Sequence, residues 1–122
     1  MRIFVTKAFK RFQRKERIKD AALLEAIDRA RQGLIDADLG ANLIKQRIAR
    51  PGEGRSGGYR TIIAYRENQR SVFLFGFAKN EMANISKADH RDLADYGAML
   101  LQLDDDGIET MIENDQLKEI ES

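Results

Sequence analysis

The stretch YRTIIAYRENQRSVFLFGFAK, residues 59–79, decides how this chain folds. Its two runs, YRTIIAYR (59–66) and SVFLFGFAK (71–79), are rich in the β-branched and aromatic residues that suit a pleated, half-buried surface. The polar ENQR between them has a length suited to a β-hairpin. Phe73, Phe75 and Phe77 alternate as one core face does, and Gly76 hints at a bulge or at another group packing close. Just upstream, GRSGG (54–58) sets Arg55 ahead of the first strand, and Arg60 enters it. A turn needs glycine, but it does not need arginine on both flanks. Charge held at the mouth of a strand suggests an anionic ligand, with Gly57 and Gly58 giving a tight turn and close access of phosphate to backbone.

Working outward, NLIKQRIA (42–49) reads as a third strand. Ile44 and Ile48 face the core, while Lys45 and Arg47, two apart, share the opposite face. Pro51, Gly52 and Gly54 break that strand. At the N-terminus RIFV (2–5) is a short strand ending at Thr6, a helix N-cap. Ala8, Phe9 and Phe12 then share one helical side, with Lys7, Lys10, Arg11, Arg14 and Lys15 around the rest. Asp20 opens a second helix with the stripe Leu23, Leu24, Ile27 and Ala30, and Gly33 terminates it. Residues 34–41, LIDADLGA, read as a loop.

Toward the C-terminus, Ser86 caps a helix carrying Leu93, Ala94, Met99, Leu100 and Leu101. DDDGIETMIEND (104–115) reads as an acidic helix with carboxylates where the macrodipole favours them. LKEIE (117–121) is a closing edge strand or a frayed tail. The expectation is one α+β domain over 1–122: a small antiparallel β-sheet with an N-terminal helical hairpin, C-terminal helices and an acidic extension from about 104.

Composition narrows the function. The chain of 122 residues has no cysteine, which excludes disulfides and thiolate metal sites and points to the cytoplasm. No apolar run approaches the roughly 18 residues of a membrane span, and the charged N-terminus does not read as a signal peptide. The net charge of +1 hides a segregation. Residues 1–79 hold 18 Lys and Arg against 8 Asp and Glu, a balance of +10; residues 80–122 hold 3 against 12, a balance of −9. A basic part of this kind suits a polyanion, although solvated surfaces alone also produce such segregation.

Several chemistries lack their residues. The single histidine, His90, has no metal-ligand spacing beside Asp89 and Asp92, and no nucleophile-elbow motif accompanies it. GEGRSGG lacks the Lys-Ser/Thr ending of a P-loop and precedes a strand, not a helix. Asp104, Asp105 and Asp106 suit a hard cation, but a helix-initiating cluster explains them more simply. No metal and no cofactor is expected. What remains is a set of cations on neighbouring strands: Lys45, Arg47, Arg55, Arg60 and Lys79. Arginine stabilises charge developing on a phosphate, and a lysine among cations moves toward acid–base use, so such a set suits phosphodiester cleavage. Sheet-edge charges that discourage aggregation are the plainer account of the same residues.

The pairing of RSGGYRTIIAY (55–65) with VFLFGFAKNEMANIS (72–86) resembles the RelE/HigB-type toxins of bacterial toxin–antitoxin systems. The N-terminal strand and helical hairpin fit as well, so the resemblance covers most of residues 1–103, and GFAKN is closest to the HigB-like branch. It implies a ribosome-dependent mRNA interferase in which the 2′-hydroxyl attacks the adjacent phosphate without metal. It implies that Arg60 and Lys79 are catalytic and that Lys45, Arg47, Arg55 and Asn80 contact RNA. Asn80 stands where the RelE pattern has an arginine, and Tyr96 lies too far along to match that pattern's C-terminal tyrosine. The implied partners are a cognate antitoxin, the ribosome and mRNA, with no membrane. Two other readings stay open: a ParE-like toxin that inhibits DNA gyrase by binding, and a small RNA-binding module without catalysis.

Overall fold

The computed structural model describes residues 1–50, 58–78 and 86–120. Chain order is β1 (Arg2–Thr6), α1 (Lys7–Glu16), α2 (Asp20–Arg31), β2 (Ala37–Gly40), β3 (Leu43–Ile48), β4 (Tyr59–Arg66), β5 (Arg70–Ala78), α3 (Lys87–Gln102), α4 (Asp105–Glu113) and β6 (Leu117–Ile120). The six strands form one sheet in the order β2-β3-β4-β5-β1-β6. This is the expected α+β architecture, built on the expected β4–β5 hairpin. The turn is one residue shorter than ENQR: the Gln69 N–H donates to the Arg66 carbonyl at 3.0 Å, and Arg70 already pairs with Arg66. Asn68 takes the positive φ of 62° that the turn requires and that Asn tolerates.

Helices cover both faces, which is why the central strand β4 is buried almost throughout instead of alternating. On one face Phe9 of α1 and Leu23, Ala26 and Ile27 of α2 pack over Ile3, Val5, Ile44, Ile48, Ile63 and Phe73. On the other, Leu100 and Leu101 of α3 and Ile108 of α4 cover Phe4, Leu43, Ile62, Val72 and Leu74. Thr6 and Ser86 cap their helices as expected, and Asp104 caps α4 as well. Thr6 Oγ1 accepts from the Phe9 N–H at 3.1 Å, Ser86 Oγ from Asp89 at 3.1 Å, and Asp104 Oδ1 from Gly107 at 2.8 Å. Gly33, at φ 82°, follows the end of α2.

Three features depart from the sequence reading. Residues 34–41 are not all loop, because Ala37–Gly40 form β2 and pair with β3 through a two-residue turn with Ala41 at φ 53° and Asn42 at φ 60°. Positive φ at both central residues is what a twist-matched hairpin needs, but Ala-Asn is a weak signal for it. The sheet is also not wholly antiparallel: β1 lies parallel to β5, with Phe4 beside Val72. Finally, the β4–β5 register slips between Ile62 and Ile63, which pair with Phe75 and Phe73 and leave Leu74 as the extra residue of a bulge.

That bulge reverses the facing of the strand beyond it. Phe73 packs with the α1/α2 face, whereas Phe75 and Phe77 pack on the α3/α4 face. The three phenylalanines therefore do not form one core face. Gly76 now looks toward α1, where a Cβ atom would lie 2.5 Å from the Phe12 ring. Close packing at Gly76, one of its two expected roles, is thus met.

LKEIE closes the sheet as an edge strand over Leu117–Ile120, antiparallel to β1. Arg2 ties it down through Nε to Glu119 at 2.9 Å and Nη2 to Glu119 at 2.8 Å, with Glu109 of α4 at 3.3 Å. The hydrogen bonds from Arg2 hold the Glu119 carboxyl below its ordinary value. Arg70 donates to the Leu100 and Leu103 carbonyls at 2.7 and 2.8 Å, satisfying the C-terminus of α3.

Candidate functional site

The sheet register assembles part of the expected cation set. Arg47 of β3 pairs directly with Arg60 of β4, and Arg60 pairs in turn with Phe77 of β5. One step along, Lys45 pairs with Ile62 and Ile62 with Phe75. Directly paired residues point to the same side of a sheet, so Lys45, Arg47, Arg60, Phe75 and Phe77 share the α3/α4 face. Lys45 and Arg60 are half-buried and Arg47 is exposed. Direct pairing sets the two arginines side by side on that face.

The backbone of Arg47 is held where β2 gives out. β2 pairs with β3 only as far as Lys45. Beyond it, side chains take the place of a strand. The Arg47 N–H donates to Asp36 Oδ2 at 2.7 Å, and Arg29 Nη2 donates to the Arg47 carbonyl. Arg29, only 9% exposed, also donates to Asp36 at 3.3 Å and to Glu25 at 2.9 Å. Gln46 is fully buried: its amide nitrogen donates to the Ala26 carbonyl at 3.0 Å and the Leu34 carbonyl at 3.2 Å, and its oxygen accepts from the Asp36 N–H at 2.7 Å. Thr61 Oγ1 donates to the Gln46 carbonyl at 2.9 Å, carrying the brace into β4. Both the N–H and the carbonyl of Arg47 are thereby used.

Gly58 has a different role from the one expected of it. A Cβ there would lie 2.0 Å from the Ile48 carbonyl oxygen and 2.8 Å from the Arg50 nitrogen. The space beside it is filled by the β3 backbone and is not open to phosphate. Glycine is required here so that the entry to β4 can touch β3. On the other face of the same sheet end, the Arg50 guanidinium lies 4.9 Å over the Tyr59 ring, and Phe12 meets Tyr59 edge-on at 5.6 Å.

A groove of about 400 Å³ opens beside Phe75, floored by Ala8, Leu74, Leu93 and Tyr96 with Lys7 and Arg11 at its lip. Burial pushes the Tyr96 hydroxyl up from its ordinary value, so it stays a protonated donor at neutral pH.

Lys45, Arg47 and Arg60 are therefore brought together as expected, whereas Arg55, Lys79, Asn80 and Gly57 lie outside the described residues. Among the described residues no cluster of three metal-ligating side chains occurs. His90 instead bonds the Leu39 carbonyl at 3.0 Å, fastening α3 to β2. Sequence reasoning missed Arg29, Asp36 and Gln46. Arg29 stands on the apolar side of α2 beside Ala26, Ile27 and Ala30, and a charge on that stripe was the available signal.

The family model for the RelE toxin of the RelE/RelB toxin–antitoxin system matches residues 1–120. The chain belongs to that toxin family. The match runs through α4 and β6, so this RelE-type toxin carries the family's pattern into the acidic segment that the motif resemblance left out. As a toxin component of such a system, it has an antitoxin partner. No curated protein matches the chain. Among the described residues no helix is long and apolar enough to cross a membrane.

Proposed function

We propose that this toxin is a ribosome-dependent mRNA interferase that acts in the cytoplasm. The observation that carries the reading is the directly paired Arg47–Arg60 rung, with Lys45 one step away on the same face. A phosphodiester placed over this rung is bound by both guanidinium groups.

In the proposed reaction the 2′-oxygen attacks the adjacent phosphorus while the bond from phosphorus to the 5′-oxygen breaks. The products are a 2′,3′-cyclic phosphate and a 5′-hydroxyl. A proton leaves the 2′-hydroxyl and another reaches the departing 5′-oxygen. Arginine cannot be deprotonated in proteins, so Arg60 serves the charge that develops on the phosphate oxygens and not the proton. Lys79, which follows the last residue of β5, is the candidate for proton transfer. Lys45 and Arg47 hold flanking phosphates, and Arg55 and Asn80 are further RNA contacts. Removing one such electrostatic donor costs about 100- to 1,000-fold in rate.

Expression of the wild type beside Arg60→Ala and Lys79→Ala, with primer-extension maps of cellular mRNA, tests the proposal. Growth arrest with mRNA cuts, both lost in the variants at unchanged solubility, supports it. Arrest with intact messenger removes the cleavage reading and moves the toxin to gyrase-type inhibition by binding.

A further inference from the structure

Helix α1 is more basic than its stability explains. Residues 7–19 hold seven Lys and Arg and a single acid, Glu16. Lys7 and Arg11, Lys10 and Arg14, and Arg11 and Lys15 are like-charged neighbours four residues apart, an arrangement that destabilises a helix. Arg14 and Lys15 in the last turn suit the macrodipole, but the first turn has no acidic residue, and the cations Lys7 and Lys10 there oppose the dipole. The fold increases the repulsion. Lys118 of β6, the one cation in residues 104–122, is set beside α1, where it lines a cleft of about 340 Å³ with Lys10, Gln13, Arg14, Arg17 and Ile18. Two carboxylates adjoin the lining: Asp115 lies 3.6 Å from Lys10, and Asp20 accepts from the Gln13 amide at 2.6 Å.

The cleft and the Arg47–Arg60 rung are different surfaces. Lys118 pairs with Val5, whose side chain belongs to the α1/α2 face, whereas Arg60 is on the α3/α4 face. Four strand steps separate β3 from β6, about 19 Å at the usual spacing of roughly 4.8 Å. A single strand lying on one face does not reach both surfaces, but a folded RNA that surrounds the protein does. The lining also discriminates between anions. An amphipathic protein segment needs apolar anchors, and among the described residues the only apolar one lining this cleft is Ile18, which is buried. A phosphate backbone needs only cations and donors.

We propose that the cleft between α1 and Lys118 is a second nucleic-acid contact, which grips the phosphate backbone of a folded RNA while the Arg47–Arg60 face engages the strand to be cut. The proposal rests on reading that face as an RNA site.

The test is fluorescence anisotropy of a labelled RNA hairpin over a series of KCl concentrations, with wild type and the triple variant Arg14→Gln, Arg17→Gln, Lys118→Gln. Losing three phosphate contacts makes the log–log salt slope shallower by roughly 2 to 3, which lowers affinity by roughly 50- to 300-fold near physiological ionic strength. Thermal melting of the triple variant stays at or above that of wild type, because repulsion is removed. Unchanged affinity and slope overturn the proposal. So does a triple variant that keeps hairpin binding but loses binding to a polyglutamate peptide, which assigns the cleft to an acidic protein. Cleavage is not the readout: a wild type that grips the hairpin through this cleft yet cuts no messenger refutes the interferase reading and leaves the contact standing.

Discussion

Replacing Arg29 by Met should cost the fold about 3 kcal/mol, although Arg29 lies outside the cationic face itself. Its side chain is 11% exposed and serves three acceptors: Glu25, Asp36 and the Arg47 carbonyl. The Glu25 carboxylate is 52% exposed, so that pair contributes only about 0.5 kcal/mol. Asp36, at 26%, and the Arg47 carbonyl are left under-satisfied, at about 1–3 kcal/mol each. Asp36 keeps the Arg47 N–H, which moderates its loss. Together these put the cost near the low end of the roughly 3–5 kcal/mol for breaking a buried charge pair. For a domain of this size that is a fall in Tm of about 10 °C. Urea unfolding followed by circular dichroism measures it at pH 7. Because Arg29 fixes the Arg47 peptide, RNA affinity should also fall at temperatures where the variant is still folded. A loss below about 1 kcal/mol with undiminished RNA affinity would refute the claim that side chains replace β2 in holding this end of β3.

Other expectations follow from single contacts. Gly76→Ala forces a methyl against the Phe12 ring and should cost about 1–3 kcal/mol; Phe12→Leu in the same chain should recover part of it, and additive losses in denaturant melts would contradict the contact. Gly58→Ala meets backbone instead of a movable ring, so it should part β3 from β4 at the Ile48–Tyr59 rung and cost more than Gly76→Ala. Equal costs in the same melts would count against that distinction. The folded pKa of Glu119 lies below its ordinary value of 4.5, so its bond to Arg2 adds stability above that pH and loses it as pH falls through the folded value. Glu119→Gln should therefore lower stability by about 1 kcal/mol at pH 7, a figure kept small because both side chains are 37% exposed, and the gap to wild type should close in acid. A gap that persists at pH 2 would assign the effect to packing instead of charge.

Elements whose signals are local could be read along the chain. The β4–β5 hairpin, the caps at Thr6 and Ser86, the end of α2 at Gly33 and the facing of Lys45 and Arg47 were all legible. Each rests on the chemistry of a few neighbouring residues: β-branched runs, a side-chain oxygen accepting from the first turn, a residue suited to positive φ, a period of two. The motifs around Arg60 also placed the chain among RelE-type toxins, as the family match over residues 1–120 bears out.

Tertiary structure alone decided what depends on partners distant in the chain. β2 is four residues long and becomes a strand because β3 offers it hydrogen bonds. One extra residue at Leu74 turned Phe75 and Phe77 to the opposite face, which a strict alternation over 71–79 conceals. Arg29 and Asp36 brace Arg47 from eighteen and eleven residues away, and Lys118 joins the cations of α1 from the far end of the chain. Gly58 reads as a loop glycine until the Ile48 carbonyl is seen beside it. Spacing along a chain reports which side of an element a residue occupies; what stands opposite that side is set by register and crossover, which form only when the sheet closes.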